Sequence, residues 1–332
     1  MSTLPQLSVI VPVRDGGAAF QRCLAALAAA RRPDHELIVV DDGSRDESRA
    51  WAAAAGARVL TTPRPGSGPA AARNLGAAQA AGALLFFCDA DVEIRPETLT
   101  HVVTALAADP GLAALFGSYD DAPGDPGFIS QYKNLMHHYI HQHAREQAST
   151  FWSGCGAIRR AAFRRCGGFS ARYGFPSIED IELGVRLTSA GERVRLDKTL
   201  QVKHLKRWTL ASLLYSDILA RGVPWTRLIL RQGRAPNDLN LSRASRWSVA
   251  LAAGGLLALS LGGLWPAAGA GAGLAGLLLL WLNRDVYRFF AAKRGLVFML
   301  GAIALHWLYY LYNSLALALG LALHLRDQLT AP

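Results

Sequence analysis

Cysteine is scarce and spaced wrongly for metal work. Cys23, Cys88, Cys155 and Cys166 form no CxxC pair and no zinc-type pairing with histidine. That argues against a zinc ribbon or a dithiol redox motif and leaves buried or idle thiols in a reducing compartment as the expectation. No GxGxxG follows the first apolar run and no GxxxxGK[ST] occurs, which argues against a dinucleotide oxidoreductase and a P-loop nucleotidase. The opening MSTLPQLSVIVPV lacks a basic n-region ahead of a long apolar stretch, so no cleavable signal peptide is expected and the first domain should stay in the cytoplasm. Acid is nearly missing from the last part of the chain. Residues 201–332 hold fourteen Lys and Arg against four Asp and no Glu, so the whole formal charge of +10 resides there.

What is present divides the 332 residues unevenly. The chain is 51% hydrophobic, high for a soluble protein, and the basic surplus shares its half of the chain with the apolar runs. That combination points to anionic lipid headgroups and a positive-inside topology rather than to nucleic acid, for which no module signature appears. Short apolar runs alternate with Ala-rich helical stretches from the start. Strands are expected at Leu7–Val13, 37–40, 58–60 and Leu84–Cys88, and helices at 18–30, 47–55 and 70–81. Continuous apolar strands separated by helices predict a mostly parallel sheet covered on both faces, an α/β Rossmann-like architecture with ligands beyond the carboxyl ends of the strands. Residues 109–178 are less regular, with a helix expected at 130–147. A further helix at 178–190 and strand-like stretches at 193–196 and 200–204 complete a domain over residues 1–210.

A basic amphipathic connector is expected over 211–246 and a membrane region over 247–332. Three apolar segments occur there, at 248–264, 268–282 and 296–325. A spanning helix needs about 20 apolar residues, so the third qualifies and the first two are marginal, giving two to three spans. Arg243 and Arg246 flank the first segment, and Arg284, Arg288, Lys293 and Arg294 lie between the second and third. Basic flanks belong inside, which predicts a multi-pass protein of the bacterial inner membrane with its first domain cytoplasmic and Tyr287, Phe289 and Phe290 at the interface.

Chemistry-bearing residues gather after the expected strands. Asp89-Ala90-Asp91, a DxD motif, follows the run Leu84–Cys88. Two such carboxylates can share a divalent cation that bridges the phosphates of a nucleotide diphosphate, although acidic pairs are also common in plain surface turns. Asp41-Asp42-Gly43-Ser44 follows the second strand, where a carboxylate can accept hydrogen bonds from a base or ribose, or close an Asx turn. Gly66-Ser67-Gly68-Pro69 leads into a helix carrying Arg73, which is placed either for phosphate or for a solvated helix start. Glu179-Asp180 opens a helix and suits either a general base or simple capping and dipole complementarity. His204-Leu205-Lys206-Arg207-Trp208 combines a possible metal ligand, two cations and an aromatic face, or is a membrane-approach segment. His137, His138, His141 and His143 have no HExxH arrangement and read as a polar helix face.

Taken as an ordered set, Val9–Val13, DDGS, GPAAARN, DAD, GGF (167–169) and EDIELGVRL (179–187) resemble the bacterial family 2 glycosyltransferases with the nucleotide-sugar-binding GT-A fold, over about the first 210 residues. The resemblance implies that Pro12 and Asp42 line a nucleoside pocket with Asp41 close by, and that Arg73 lies near the diphosphate. It implies Asp91 as principal metal ligand for Mg²⁺ or Mn²⁺, Asp89 toward ribose or metal, His204 completing the metal shell, and Asp180 as catalytic base supported by Glu179. The donor would be a UDP- or GDP-sugar, transfer would be inverting, and the acceptor would be a polyprenyl phosphate, a glycolipid or a membrane-proximal glycan, met by Lys206, Arg207 and Trp208. HLKRW also resembles the QxxRW motif of processive members, with His204 in place of the Gln, which argues against polymer extrusion. The rival readings are a metal-dependent nucleotidyltransferase acting on sugar phosphates and a catalytically silent membrane-bound module that only binds nucleotide-sugars.

Overall fold

A computed structural model of the chain describes residues 6–233 and 239–330. It divides into two compact units at the Arg207/Trp208 junction. The first residues of the opening run and residues 234–238 of the expected connector lie outside the described residues.

The first unit is built on an eight-stranded sheet. Its first half is the βαβ series that the apolar runs predict. Strand β1 (Leu7–Val13) is followed by α1 (Gly17–Ala30), β2 (His35–Asp41), α2 (Ser48–Ala54), β3 (Arg58–Thr61), α3 (Pro69–Gln79) and β4 (Leu84–Cys88). These four strands lie parallel in the order β3-β2-β1-β4. β1 and β4 are almost entirely buried, as continuous apolar strands between helical layers must be. Pro12 lies past the last β1 residue that pairs with β4, where a missing N–H is tolerated.

The second half departs from an all-parallel sheet. After β5 (Val92–Glu93) come α4 (Thr98–Ala108), β6 (Leu112–Tyr119), α5 (Phe128–His143), β7 (Cys155–Arg159), α6 (Arg160–Arg165), α7 (Glu179–Ser189) and β8 (Arg193–His204). β7 inserts beside β4 and runs antiparallel both to it and to β6, while β8 is parallel to β6 and antiparallel to β5. The sheet is therefore mixed. The two stretches expected at 193–196 and 200–204 form one strand whose pairing shifts register between Phe116 and Ser118. β6 and β7 fall where no strand was expected. Their sequences, LAALFGSY and CGAIR, are diluted by Ala and Gly, and Ile158 is their one β-branched residue.

The second unit is helical. The connector expected between domains is ordered as α8 (Leu210–Leu214), a π-helical run Tyr215–Gly222 and α9 (Val223–Gln232), followed after a gap by α10 (Arg243–Leu261), α11 (Pro266–Leu282) and α12 (Arg284–Thr330). α10 and α12 are long and apolar enough to cross a membrane; α11, with 17 residues, is shorter. α12 breaks at Gly295, φ 83°, beside the expected start of the third apolar segment. Polar side chains tie these helices together. Tyr310 donates to Asn283 Oδ1 at 2.7 Å, Asn283 donates to Ser248 Oγ at 3.1 Å, and Tyr312 donates to the buried Asp217 at 2.7 Å. Interhelical hydrogen bonds of this kind fix packing where no hydrophobic drive between helices operates.

Candidate active site

The carboxyl ends of β2 and β4 and the first turn of α7 present the acidic residues found in the sequence, and Arg73 joins two of these groups. It lies on α3, 4% exposed. Nη1 donates to Glu179 Oε1 at 2.8 Å and Nη2 to Asp89 Oδ1 at 2.6 Å. Burial alone would loosen its proton, but Asp89, Glu179 and Asp180 more than reverse this and raise its pKa. Both terminal nitrogens of Arg73 are thus engaged by carboxylates. Its guanidinium holds the tip of β4 against the start of α7. Glu179 is equally committed, since its second oxygen accepts from Ser177 N at 2.9 Å.

Asp89 and Asp91 do not act as a matched pair. Asp89 is taken by Arg73, whereas Asp91 Oδ2 lies 3.5 Å from His204 Nε2, at the end of β8. His204 Nδ1 donates to Asn134 Oδ1 on α5 at 2.6 Å. That bond directs the Nε2 lone pair toward Asp91, so two acceptors face each other and call for a cation or a proton between them. Burial would raise the Asp91 carboxyl, but His204 and then Lys206 outweigh it and lower its pKa. The pair fits a divalent cation. Among the described residues no group of three His, Cys, Asp or Glu side chains gathers to hold one. Asp89, expected as a further ligand, gives Oδ1 to Arg73, and the remaining positions would fall to phosphate oxygens and water.

Asp42 organises the Gly-rich turn. Its Oδ1 accepts from Thr62 Oγ1 (2.7 Å) and Ser67 N (2.9 Å), and its Oδ2 from Gly68 N (2.9 Å). Gly68 has φ 88°, and a Cβ there would come 2.6 Å from Gly174 O, so only glycine fits the start of α3. Asp41 is 1% exposed, closes the turn by accepting from Ser44 N at 3.0 Å, and lies 3.7 Å from Arg49. Asp41 therefore closes the Asx-type turn and Asp42 holds the Gly-rich turn, so any nucleoside would meet loops that they have already shaped.

Asp180 is half-buried at the first turn of α7. Its Oδ2 accepts from Ser153 N (3.1 Å) and Ser153 Oγ (3.2 Å), and its Oδ1 from Ile181 N (2.8 Å). Lys206 and Arg207 are exposed just after β8, and Trp208 is half-buried at the start of the second unit. The histidines of α5 are not a solvated face. His138 and His141 are buried and donate to Tyr119 O and Gly117 O, and Tyr119 stacks on His204 with centroids 4.1 Å apart. Sequence reasoning missed Asn134 and Ser153. Asn134 carries one readable signal, three and four residues before a pair of histidines. Ser153 carries none.

Residues 8–167 match the family described as Glycosyl transferase family 2. The chain is similar to glycosyltransferase AglE of Haloferax volcanii, 34% identical over 112 residues, which make up 32% of this chain and 37% of that protein. It is also similar to the pre-mycofactocin glycosyltransferase of Mycobacterium tuberculosis, 29% identical over 229 residues, 64% and 47% of the two chains. The match thus spans less than half the length of either relative. Among solved structures, the mannosyltransferase PcManGT from Pyrobaculum calidifontis in complex with GDP-Man and Mn²⁺ is similar with TM-score 0.59 and 19% identity, over 98% of this chain and 89% of that one. S. aureus TarS 1-349 in complex with UDP-GlcNAc gives 0.54 at 18% identity, over 95% and 92%. At such identities these likenesses establish the fold.

Proposed function

We propose that the chain, whose residues 8–167 match glycosyl transferase family 2 and whose fold is similar to that of solved glycosyltransferases, is a membrane-attached inverting glycosyltransferase using a UDP- or GDP-sugar. The observation that carries this reading is the Asp180 carboxylate, half-exposed at the start of α7, next in sequence to the Arg73-bound Glu179 and tied through it to Asp89 at the tip of β4. Both solved neighbours are complexes of nucleotide-sugars, one of them with Mn²⁺, which supports the donor class and a divalent ion.

Asp91 and His204 would hold Mg²⁺ or Mn²⁺, with Asn134 fixing the imidazole. When bound, the ion supplies positive charge to a departing diphosphate. Asp42 and Asp41 shape the loop that would receive the nucleoside beside Pro12. Asp180 accepts the proton of the acceptor hydroxyl, or stands behind an acceptor phosphate, as that oxygen attacks the anomeric carbon from the face opposite the leaving group. Lys206 and Arg207 offer cations to an acceptor phosphate, and Trp208 an aromatic face to its sugar or lipid. The apolar lengths of α10 and α12 and the basic surplus of residues 201–332 support attachment to a bilayer with the catalytic unit on the cytoplasmic side. The acceptor in this reading is lipid-linked or membrane-proximal: a polyprenyl phosphate, a glycolipid or an envelope glycan.

The test is product analysis. Detergent-solubilised full chain, given a panel of UDP- and GDP-sugars, polyprenyl phosphate and Mn²⁺, is expected to release nucleoside diphosphate. Pyrophosphate release from a nucleoside triphosphate and a sugar phosphate would instead establish a nucleotidyltransferase. Binding without any turnover would leave a silent nucleotide-sugar module.

A further inference from the structure

We infer that the segment 149–154 is a ruler between the two catalytic edges of the site, and that Ser153 is the positioning residue that sets the Asp180 carboxylate. The inference rests on the reading of Asp180 as the base.

Three contacts along six residues support it. At one end the segment is seated on α7 at Gly184, where a Cβ would fall on the backbone of Thr150 and Phe151, and Thr188 Oγ1 donates to Ser149 O at 3.5 Å. Gly184 is four residues from Asp180, hence on the same face of the helix one turn closer to its C-terminus. Seating at Gly184 therefore fixes which residue of the segment arrives at Asp180, and it is Ser153. Ser153 is 1% exposed, and its N–H and hydroxyl both donate to the same oxygen, Oδ2. A buried hydroxyl aimed at a carboxylate has no water to fall back on, so the bond is kept and the carboxylate rotation is locked. At the other end Gly154 O accepts from Asp89 N at 3.3 Å, and the next residue, Cys155, pairs with Cys88 at the tip of β4. One continuous segment leading into β7 thus measures the offset between the base on α7 and the acidic tip of β4. A hydrogen bond formed only to cover a buried serine would need neither the second donor on the same oxygen nor the glycine seat one turn away.

The variants Ser153→Ala, Ser153→Thr and Asp180→Asn of the full chain, assayed for nucleoside diphosphate release at saturating and limiting donor, provide the test. Loss of the hydroxyl removes one charge-assisted bond and is expected to lower kcat on the order of tenfold while leaving donor KM unchanged. Ser153→Thr should restore most of kcat, and Ser153→Ala should stay folded at the assay temperature, its thermal midpoint falling only slightly while kcat falls far more. Wild-type kcat in Ser153→Ala beside an inactive Asp180→Asn overturns the Ser153 assignment alone. A raised donor KM, or a fallen thermal midpoint that tracks the loss of rate, overturns it as well. Wild-type turnover in Asp180→Asn removes the base reading itself, and the inference with it.

Discussion

Arg73 shows how far a single residue's role depends on partners remote in sequence. Its spacing in GPAAARN offered phosphate binding or a solvated helix start, and the second does not describe a buried guanidinium bound to carboxylates 16 and 106 positions away. Removing it would leave Asp89 and Glu179 facing each other across a buried gap. Arg73→Met is expected to destabilise the unit by about 3–5 kcal/mol, read as a lowered melting midpoint in detergent. Arg73→Lys should recover only part, because one ammonium cannot span both acids. A melting midpoint unchanged in Arg73→Met would contradict the bridging role. Asn134 is the second case, an amide that no motif marks. Its bond to His204 Nδ1 directs Nε2 at Asp91, so Asn134→Leu should weaken Mn²⁺ affinity about 10- to 100-fold with the fold intact. Equal affinity in a metal titration would show that His204 needs no orienting partner. Asp91 was marked by its place after a buried strand and His204 by the late HLKRW stretch, and the fold brings the two within 3.5 Å.

Elements were legible where one physical signal dominated. The runs Leu7–Val13 and Leu84–Cys88 are uninterrupted, apolar and too short for helices, and they form β1 and β4 with those bounds. β6 and β7 escaped because Ala and Gly dilute the strand signal, and their places in the sheet, β7 between β4 and β6 and β6 between β7 and β8, are set by tertiary pairing. The connector was legible as basic and amphipathic, and it is helical from Leu210 up to Gln232. α7 was expected, but the reason for its Gly184 was not, since the close approach of segment 149–154 is a tertiary fact. Gly184→Ala should push α7 off that segment, costing about 1–3 kcal/mol and more activity than stability, measured as melting midpoint against kcat. Activity and midpoint both at wild-type values would mean that the helix can shift without moving Asp180.

At the scale of the whole molecule, the uneven charge is the feature that composition alone conveys. All of the formal surplus lies in residues 201–332 with the long apolar helices α10 and α12. The chain should therefore sediment with membranes, resist washing with high salt and alkaline carbonate, and come off in detergent. Release by salt alone would mean that charge, rather than spanning helices, holds it there. The account as a whole turns on a cation held by Asp91 and His204 where a nucleoside diphosphate would bind. The direct measurement is electron paramagnetic resonance of Mn²⁺ titrated into the solubilised chain with UDP or GDP present, for wild type, Asp91→Asn and His204→Ala. Wild type should take up Mn²⁺ stoichiometrically in the presence of the nucleotide, and both variants should leave it free in solution. Equal uptake by all three proteins would contradict the account.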